Sequence, residues 1–362
     1  MKILSVVGTR PNFIKIAPLA EEMKKHPEIR NILVHTGQHY DKQMSKLFFD
    51  DLEIPKPDIN LGVGSASDVT QTADIILKLE KFVLKEKPDL VVVVGDVNST
   101  LAAALSAVKC NVKVAHVEAG LRSFDRTMPE ELNRILTDHI SDFLFTTEES
   151  ANKNLAEEGI SKDKIFFVGN VMIDSLLSHR EMAKKSKILP KLNIAKNGYA
   201  VLTLHRPSNV DSKKSLEHII DILNEIQQKI KIVFPIHPRT VKNLKKHGLY
   251  NKLKTRKNII ITEPLGYLDF LNLMSNSRLI LTDSGGIQEE TTVLGVPCIT
   301  IRNSTERPVT AEQGTNALVS TDKSKIVKAC SKLLKSAHFK AKIPKFWDGK
   351  AAKRIIDIIL RN

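Results

Sequence analysis

Residues 90–120 read LVVVVGDVNSTLAAALSAVKCNVKVAHVEAG, and this stretch decides the fold of the chain. An apolar run, Leu90 to Val94, stops at a glycine, and a second β-rich run, Val112 to Val117, follows a helical segment. Consecutive strands joined by a helix run parallel and usually lie side by side. Because β-rich runs and amphipathic segments alternate in this way along nearly the whole chain, the sequence predicts an α/β fold with helix-covered parallel sheets.

The length and the grouping of the strands predict two domains. The 362 residues are about twice the usual size of a single core. The weakly periodic segment 182–197 separates two sets of strands, and we place the boundary near residue 177. The predicted strands are 2–7, 32–36, 90–94, 112–117, 143–146 and 165–168 in the first half, and 199–204, 230–235, 258–261, 279–282 and 297–301 in the second half.

Charge and composition exclude several classes of protein. The chain carries a net charge of +14, concentrated in the second half. The basic stretch 239–257 holds one aromatic residue, Tyr250, so it lacks the stacking platform of a single-strand nucleic-acid binder, and we predict no nucleic-acid partner. The longest apolar run, Leu90 to Val94, is far shorter than the ~20 residues of a membrane span. We therefore expect a cytoplasmic protein without a membrane partner. The three cysteines are widely spaced and no H-E-x-x-H is present, which predicts no metal site.

The end of the first predicted strand is a candidate phosphate-binding loop. Gly8-Thr9-Arg10-Pro11 turns into a helix whose free N–H groups favour phosphate, and Arg10 and Lys15 lie beside them. Residues 8–15 lack the second glycine of a P-loop, and Gly62-Val63-Gly64 is followed by Ser67 where a dinucleotide fold requires Gly or Ala. These departures argue against ATP and NAD, and we expect no cofactor.

Three carboxylates of the first half are candidates for acid and base catalysis. Asp96 and Glu118 follow two neighbouring strands, so they should project from the same edge of the sheet. Glu130 lies at a predicted helix start, where stabilising the helix dipole is its alternative role. Paired carboxylates are what proton removal and return at a carbon centre require. His116, inside a strand, is predicted to be a core residue.

A turn in the second half has the chemistry of a nucleotide site. Residues 282–290 read TDSGGIQEE, which is typical of a strand end, a tight turn and a helix. The N–H groups of Ser284, Gly285 and Gly286 can hold a pyrophosphate, and Glu290, about two turns into the helix, can bond a ribose diol.

Two further side chains follow strands of the second half. His205 closes one strand and can act as an acid, a base or a phosphate ligand. Arg307, in the string Thr305-Glu306-Arg307-Pro308, offers a cation beyond the strand that ends near Ile301.

Taken together, these strings resemble the non-hydrolysing UDP-N-acetylglucosamine 2-epimerases. The resemblance implies a GT-B-like architecture, with two Rossmann-like parallel-sheet domains and the substrate in an interdomain cleft. The implied domains are 1–177 plus 350–362 and 178–349, in a homodimer without nicotinamide or metal. The matching strings occur in order along almost the entire chain: Gly8-Thr9-Arg10-Pro11 with Lys15, Gly95-Asp96, residues 116–122 (HVEAGLR), Pro129-Glu130-Glu131 with Asn133-Arg134, His205-Arg206, residues 283–290 (DSGGIQEE), residues 305–308 (TERP) and Asp348-Gly349.

The activity implied by the resemblance is reversible conversion of UDP-N-acetylglucosamine to UDP-N-acetylmannosamine. The C2 hydrogen is not adjacent to a carbonyl, so the implied route eliminates UDP to give 2-acetamidoglucal and then adds UDP back. Carried over by motif, the roles are acid or base for Asp96, Glu118 and Glu130, support of the leaving diphosphate for His205, pyrophosphate binding for Arg10, Lys15, Ser284, Gly285, Gly286 and Arg307, ribose binding for Glu290, and a uracil pocket for Leu265 and Phe270.

Three other functions stay open on the sequence alone. A 2-epimerase acting on a related UDP-diacetamido sugar would use the same loops. A GT-B glycosyltransferase would share the nucleotide-binding half, and a non-catalytic sensor of nucleotide sugars would use the basic half. The three carboxyl candidates of the first half favour an epimerase over the last two.

Overall fold

A computed structural model of the chain describes residues 1–38, 56–335 and 341–362. These residues form two compact units, one of Met1–Ser178 with Lys345–Asn362 and one of His179–Pro344. Each unit has its own parallel sheet with helices, which confirms the predicted α/β class with two Rossmann-like domains.

The sheet of the first unit has the order β3-β2-β1-β4-β5-β6-β7, and all its strand pairs are parallel. Its strands are β1 (Lys2–Val7), β2 (Arg30–His35), β3 (Ile59–Asn60), β4 (Leu90–Val94), β5 (Lys113–Ala119), β6 (Phe143–Thr146) and β7 (Ile165–Phe167). Its helices are α1 (Arg10–Met23), α2 (Asp68–Glu86), α3 (Asn98–Lys109), α4 (Pro129–Ile140), α5 (Glu149–Glu157) and α6 (Val171–Ala183), with a 3-10 turn at Lys162–Lys164. The boundary between the units falls within α6.

The sheet of the second unit has the order β10-β9-β8-β11-β12-β13 and is also parallel. Its strands are β8 (Tyr199–Thr203), β9 (Lys231–Pro235), β10 (Ile259–Thr262), β11 (Leu279–Thr282), β12 (Cys298–Ile301) and β13 (Asn316–Val319). Its helices are α7 (Ile188–Lys191), α8 (Pro207–Val210), α9 (Lys213–Ile226), α10 (Pro238–Lys246), α11 (Tyr250–Lys254), α12 (Tyr267–Ser275), α13 (Gly285–Leu294), α14 (Pro308–Glu312) and α15 (Lys323–Lys335).

The last helix, α16 (Ala351–Arg361), belongs to the first unit and packs against α1. The carboxylate of Asp174 accepts the backbone N–H groups of Ala351 and Ala352 and so caps this helix. Ahead of it, the buried Trp347 donates its indole N–H to the carbonyl of Thr147 at 2.9 Å. The segment that returns to the first unit is Lys345–Asn362.

Strand order places the candidate residues at the switch point of each sheet. In the first unit the chain runs outward from β1 in one direction and resumes at β4 on the other side, so the loops after β1 and β4 are neighbours. The pair β8 and β11 has the same relation in the second unit. Ligands of open parallel sheets bind at such switch points, where Arg10, Asp96, His205 and Ser284 lie.

Among the described residues, no helix is both long enough and apolar enough to cross a bilayer.

Candidate active site

Lys15 and Glu118 form a buried ion pair at the carboxyl edge of the first sheet. Their side chains are 9% and 2% exposed, on α1 and β5 respectively. A Cβ atom at Gly95 would lie 2.9 Å from the Lys15 ammonium nitrogen, so glycine lets the lysine reach across the loop after β4. Arg10, which is predicted to bind the pyrophosphate together with Lys15, is the first residue of α1 and is half-buried.

The backbone of Glu118 is strained. Its φ is +75°, in the region that favours glycine, and the pairing of β5 with β6 shifts register between Val117 and Ala119. The sequence predicted that the strand would stop before Glu118, whereas β5 continues through Ala119 across this irregularity. Strain of this kind is typical of functional sites, and here it accompanies the ion pair with Lys15.

Asp96 is held by α4. Arg134 donates to the Asp96 carboxylate with one guanidinium nitrogen and contacts Glu131 with another at 2.5 Å. The side chain of Asn133 donates to the Asp96 carbonyl at 3.0 Å. Polar contacts therefore join the loop after β4 to the first turns of α4. Glu130 lies in the first of these turns.

Glu130 and Glu131 are adjacent but differ in environment. The buried Glu131 accepts the backbone N–H groups of Ser123 and Phe124 at 2.8 to 3.0 Å, which fixes the loop before α4. Glu130 is half-buried, and no hydrogen bond or ion pair joins it to the part of the chain that the structure describes. Of the two carboxylates, Glu130 has the oxygen atoms that can meet a substrate.

His116 is a satisfied core residue, as predicted. It is fully buried, and its ring nitrogens contact an Asp138 carboxylate oxygen at 2.6 Å and the Gly95 carbonyl at 2.7 Å. With both nitrogens engaged, this ring has no atom left for a ligand.

In the second unit, α13 begins at the predicted turn, with Ser284 as its N-cap residue. The N–H groups of Gly285 and Gly286 lie in the first helical turn, where no carbonyl of the helix can accept them. The N–H of Ser284, in contrast, donates to the Thr282 hydroxyl at 3.0 Å. Ser284 can therefore bind a ligand through its hydroxyl, while Gly285 and Gly286 can bind it through their backbone N–H groups.

Three arginines surround two carboxylates next to this helix start. The nitrogen Nε of Arg307 lies 2.6 Å from Glu289. The buried Glu306 carboxylate has guanidinium nitrogens of Arg302, Arg206 and Arg307 at 2.8, 3.7 and 3.8 Å. The guanidinium groups of this cluster lie beside the positive end of the helix dipole, and both can stabilise an anion there.

Gly285 has a steric reason to be glycine. A Cβ atom there would lie 2.7 Å from a Glu306 carboxylate oxygen and 3.9 Å from the Arg307 guanidinium carbon. Arg307 is therefore beside the first turn of α13.

His205 is oriented by Asp283. Its Nδ1 lies 3.0 Å from the buried carboxylate, which also accepts the backbone N–H of Arg206 and the side-chain amide of Asn209. Burial alone would raise the pKa of Asp283, but the His205 ring and these donors hold it below its usual value. The His205 side chain is 40% exposed, so Nε2 is the ring nitrogen that can meet a ligand.

Glu290 is connected to the segment that carries the expected uracil pocket. Tyr267, in α12, donates its hydroxyl to the buried Glu290 carboxylate at 3.3 Å. Burial and this carboxylate raise the pKa of Tyr267 well above its ordinary value, so the hydroxyl stays protonated. Leu265 and Phe270 flank Tyr267 and are half-buried.

The family model of UDP-N-acetylglucosamine 2-epimerase matches residues 21–360. The chain belongs to this family. The UDP-N-acetylglucosamine 2-epimerase of Methanocaldococcus jannaschii is 48% identical over 99% of both chains. A crystal structure of that protein in complex with UDP-GlcNAc and UDP superposes with a TM-score of 0.94 and covers 100% of both chains.

The UDP-2,3-diacetamido-2,3-dideoxy-D-glucuronate 2-epimerase of Pseudomonas aeruginosa is also similar to this member of the UDP-N-acetylglucosamine 2-epimerase family. It is 42% identical over 91% of both chains.

Several groups next to the candidate site residues were not singled out by the sequence patterns. Arg134 contacts Asp96, and Arg206 and Arg302 contact Glu306. Arg134 and Arg206 occur inside the quoted strings, but nothing in those strings indicates that Arg134 faces Asp96. Arg302 follows β12 directly, and its position after a strand was the one available signal.

Proposed function

We propose that the chain interconverts UDP-N-acetylglucosamine and UDP-N-acetylmannosamine by eliminating UDP and adding it back. The observation that carries this proposal is the grouping of Asp96 and Glu118, each paired with a cation, at one sheet edge. Family membership and the similar protein in complex with UDP-GlcNAc and UDP support it.

Proton transfer is the proposed task of the first unit. A carboxylate removes the C2 proton, the C–H electron pair becomes the C1=C2 double bond, and the C1–O bond breaks with its electrons going to UDP. Return of a proton to the opposite face of C2, with attack of the UDP oxygen on C1, gives the epimer. Lys15 and Arg134 contact the Glu118 and Asp96 carboxylates and hold them at the sheet edge, where the proposed base is required.

Stabilising the diphosphate is the proposed task of the second unit. The first turn of α13 supplies two glycine N–H groups, and the cluster around Glu306 supplies guanidinium groups. His205, fixed by Asp283, can donate from Nε2 to the leaving oxygen. UDP leaves as an anion, so these groups favour breaking of the C1–O bond.

A product assay tests this proposal against its nearest rival. The protein is incubated separately with UDP-N-acetylglucosamine and with UDP-2,3-diacetamido-2,3-dideoxy-D-glucuronate, and the epimers are resolved by proton NMR. We expect the first sugar to epimerise much faster. The rival is favoured by one observation, the 42% identity to an enzyme named for the second sugar, and exclusive turnover of that sugar would establish it.

We also propose that the protein is a homodimer formed through α2 and α4. Three exposed apolar residues of α2, Val69, Leu77 and Leu84, are spaced by seven or eight residues and share one helix face. Leu132 and Leu136 are exposed one turn apart on α4. Both helices pack against α3, and exposed apolar area of this kind favours association.

The oligomeric state is measured by light scattering after size exclusion. We expect a dimeric mass for the wild type and a monomeric mass for Leu77→Lys combined with Leu136→Lys. Leu318→Lys, at an exposed leucine of the other unit, is the matched control and should stay dimeric. A monomeric wild type would contradict the proposal.

A further inference from the structure

A cluster of four charged side chains lies next to the backbone of the two site carboxylates. Asp138 is at its centre and is fully buried. One Asp138 oxygen contacts His116 Nδ1 at 2.6 Å, and the other accepts from Arg122 at 2.7 Å. Arg122 also makes a bidentate contact with Glu158, with both distances at 2.6 Å. None of these four side chains has been given a role in the proposed reaction.

The cluster holds both loops that carry the site carboxylates. His116 Nε2 contacts the carbonyl of Gly95 at 2.7 Å, and the next residue is Asp96. The backbone N–H of Gly120, two residues after Glu118, donates to Asp138 at 3.1 Å. Asp138 thus connects to one loop through His116 and to the other directly.

The polar atoms of the cluster are paired. One nitrogen of the His116 ring faces a carboxylate oxygen of Asp138, and the other faces the carbonyl oxygen of Gly95. Arg122 lies between the Asp138 and Glu158 carboxylates and contacts both. Burial would raise the pKa of Asp138, but His116 and Arg122 hold it below its usual value. A buried and fully hydrogen-bonded group gives its neighbours one fixed geometry.

We infer that Asp138, acting through His116, is a positioning residue that fixes the separation of the Asp96 and Glu118 carboxylates. The inference rests on the proposed function, in which protons are exchanged on the two faces of C2. Misplacing a catalytic group by about 1 Å can cost roughly 100-fold in rate. Because Asp138 is buried and reaches the backbone of one loop directly and of the other through His116, we expect its loss to slow the proton transfer and to leave UDP binding intact.

The test is Asp138→Asn, which keeps the shape and removes the charge. We expect kcat to fall by about 10- to 100-fold while KM stays within about threefold. With UDP-N-acetylglucosamine deuterated at C2, the isotope effect on kcat should rise, because proton transfer becomes the slow step. A purely structural defect lowers the amount of active protein and leaves the isotope effect unchanged.

Asp142→Asn is the matched control. Its carboxylate accepts the backbone N–H of Val114 at 2.9 Å, at the other end of β5, so it loses an equivalent bond away from the site. Its kcat and isotope effect should equal those of the wild type. His116→Gln, which retains a side-chain N–H donor near Gly95 but removes the ring that joins it to Asp138, is the second variant and should change in the same direction as Asp138→Asn.

The outcomes separate the inference from the proposed function. A wild type that does not epimerise the sugar overturns the proposed function and the inference with it. An active wild type with unchanged kcat in Asp138→Asn, or with reduced kcat and an unchanged isotope effect, overturns the inference alone. Loss of folding in both Asp138→Asn and His116→Gln would make the cluster a folding element and would also overturn it.

Discussion

The two units arrange their charged groups differently. In the first unit Asp96 and Glu118 each contact a cation, Arg134 and Lys15 respectively. In the second unit three arginines share two carboxylates beside the start of α13. A carboxylate can exchange a proton with a substrate, whereas arginines beside the free N–H groups of a helix start attract an anion that arrives with the substrate. We therefore propose a proton-transfer site in the first unit and an anion site in the second.

The largest effect should come from neutralising the carboxylates of the first unit. Asp96→Asn, Glu118→Gln and Glu130→Gln should each lower kcat by at least ~100-fold, because proton transfer requires an ionisable group. UDP affinity, measured by calorimetry, should change little. Glu21→Gln removes an exposed carboxylate that is also paired with a lysine, and it should have wild-type activity. Wild-type turnover in all three site variants would remove the carboxylates from the mechanism.

Arginine substitutions should produce the reverse result: they should weaken nucleotide binding and leave proton transfer unchanged. Arg307→Ala and Arg10→Ala should each reduce UDP affinity by roughly 1.5 to 3 kcal/mol, the scale of a lost charge-assisted hydrogen bond. Calorimetry with UDP measures this directly. Arg239→Ala removes a surface arginine that pairs with Asp211 and is the matched control. Equal affinities for all three variants and the wild type would contradict the assignment.

A smaller effect should come from Asp174, a buried carboxylate of the first unit held by two backbone N–H groups. Burial raises its pKa to about 6. The folded state therefore binds this proton more tightly than the unfolded state, and the resulting stability is lost as the pH rises through 6. Between pH 5 and pH 7.5 the wild type should lose about 1 kcal/mol of unfolding free energy relative to Asp174→Asn.

Urea unfolding of the two proteins at both pH values measures this difference. Asp163→Asn is the control, because hydrogen bonding to Ser161 lowers the pKa of Asp163, so that it is ionised throughout this range. A constant difference between wild type and Asp174→Asn would show that Asp174 does not titrate there.

The sequence predicted most of the fold because buried parallel strands have a strong local signal. The bounds of β1, β4, β6 and β11 agree with the prediction. Two strands were not predicted, β3 and β13. The first has two residues, and the second is a partly exposed edge strand of four residues, so neither forms an apolar run of its own.

The candidate site was predictable to the extent that its residues follow strands. Asp96, His205 and Arg10 could be placed at sheet edges in this way. The residues that contact these side chains could not be predicted, since the contact of Arg134 with Asp96 joins residues 38 positions apart. The strained φ of Glu118 also depends on the irregular pairing of β5 with β6, which only tertiary structure reveals.

The most direct test of the elimination mechanism is the fate of the C2 hydrogen in D2O. If a carboxylate of the first unit removes this proton and solvent-exchanged deuterium is returned, UDP-N-acetylmannosamine formed in D2O carries deuterium at C2. Proton NMR of the product should then show loss of the C2 resonance, with slow release of UDP and 2-acetamidoglucal on long incubation. Product that retains protium at C2, formed only when NAD is added, would contradict the mechanism and the roles proposed for Asp96, Glu118 and Glu130.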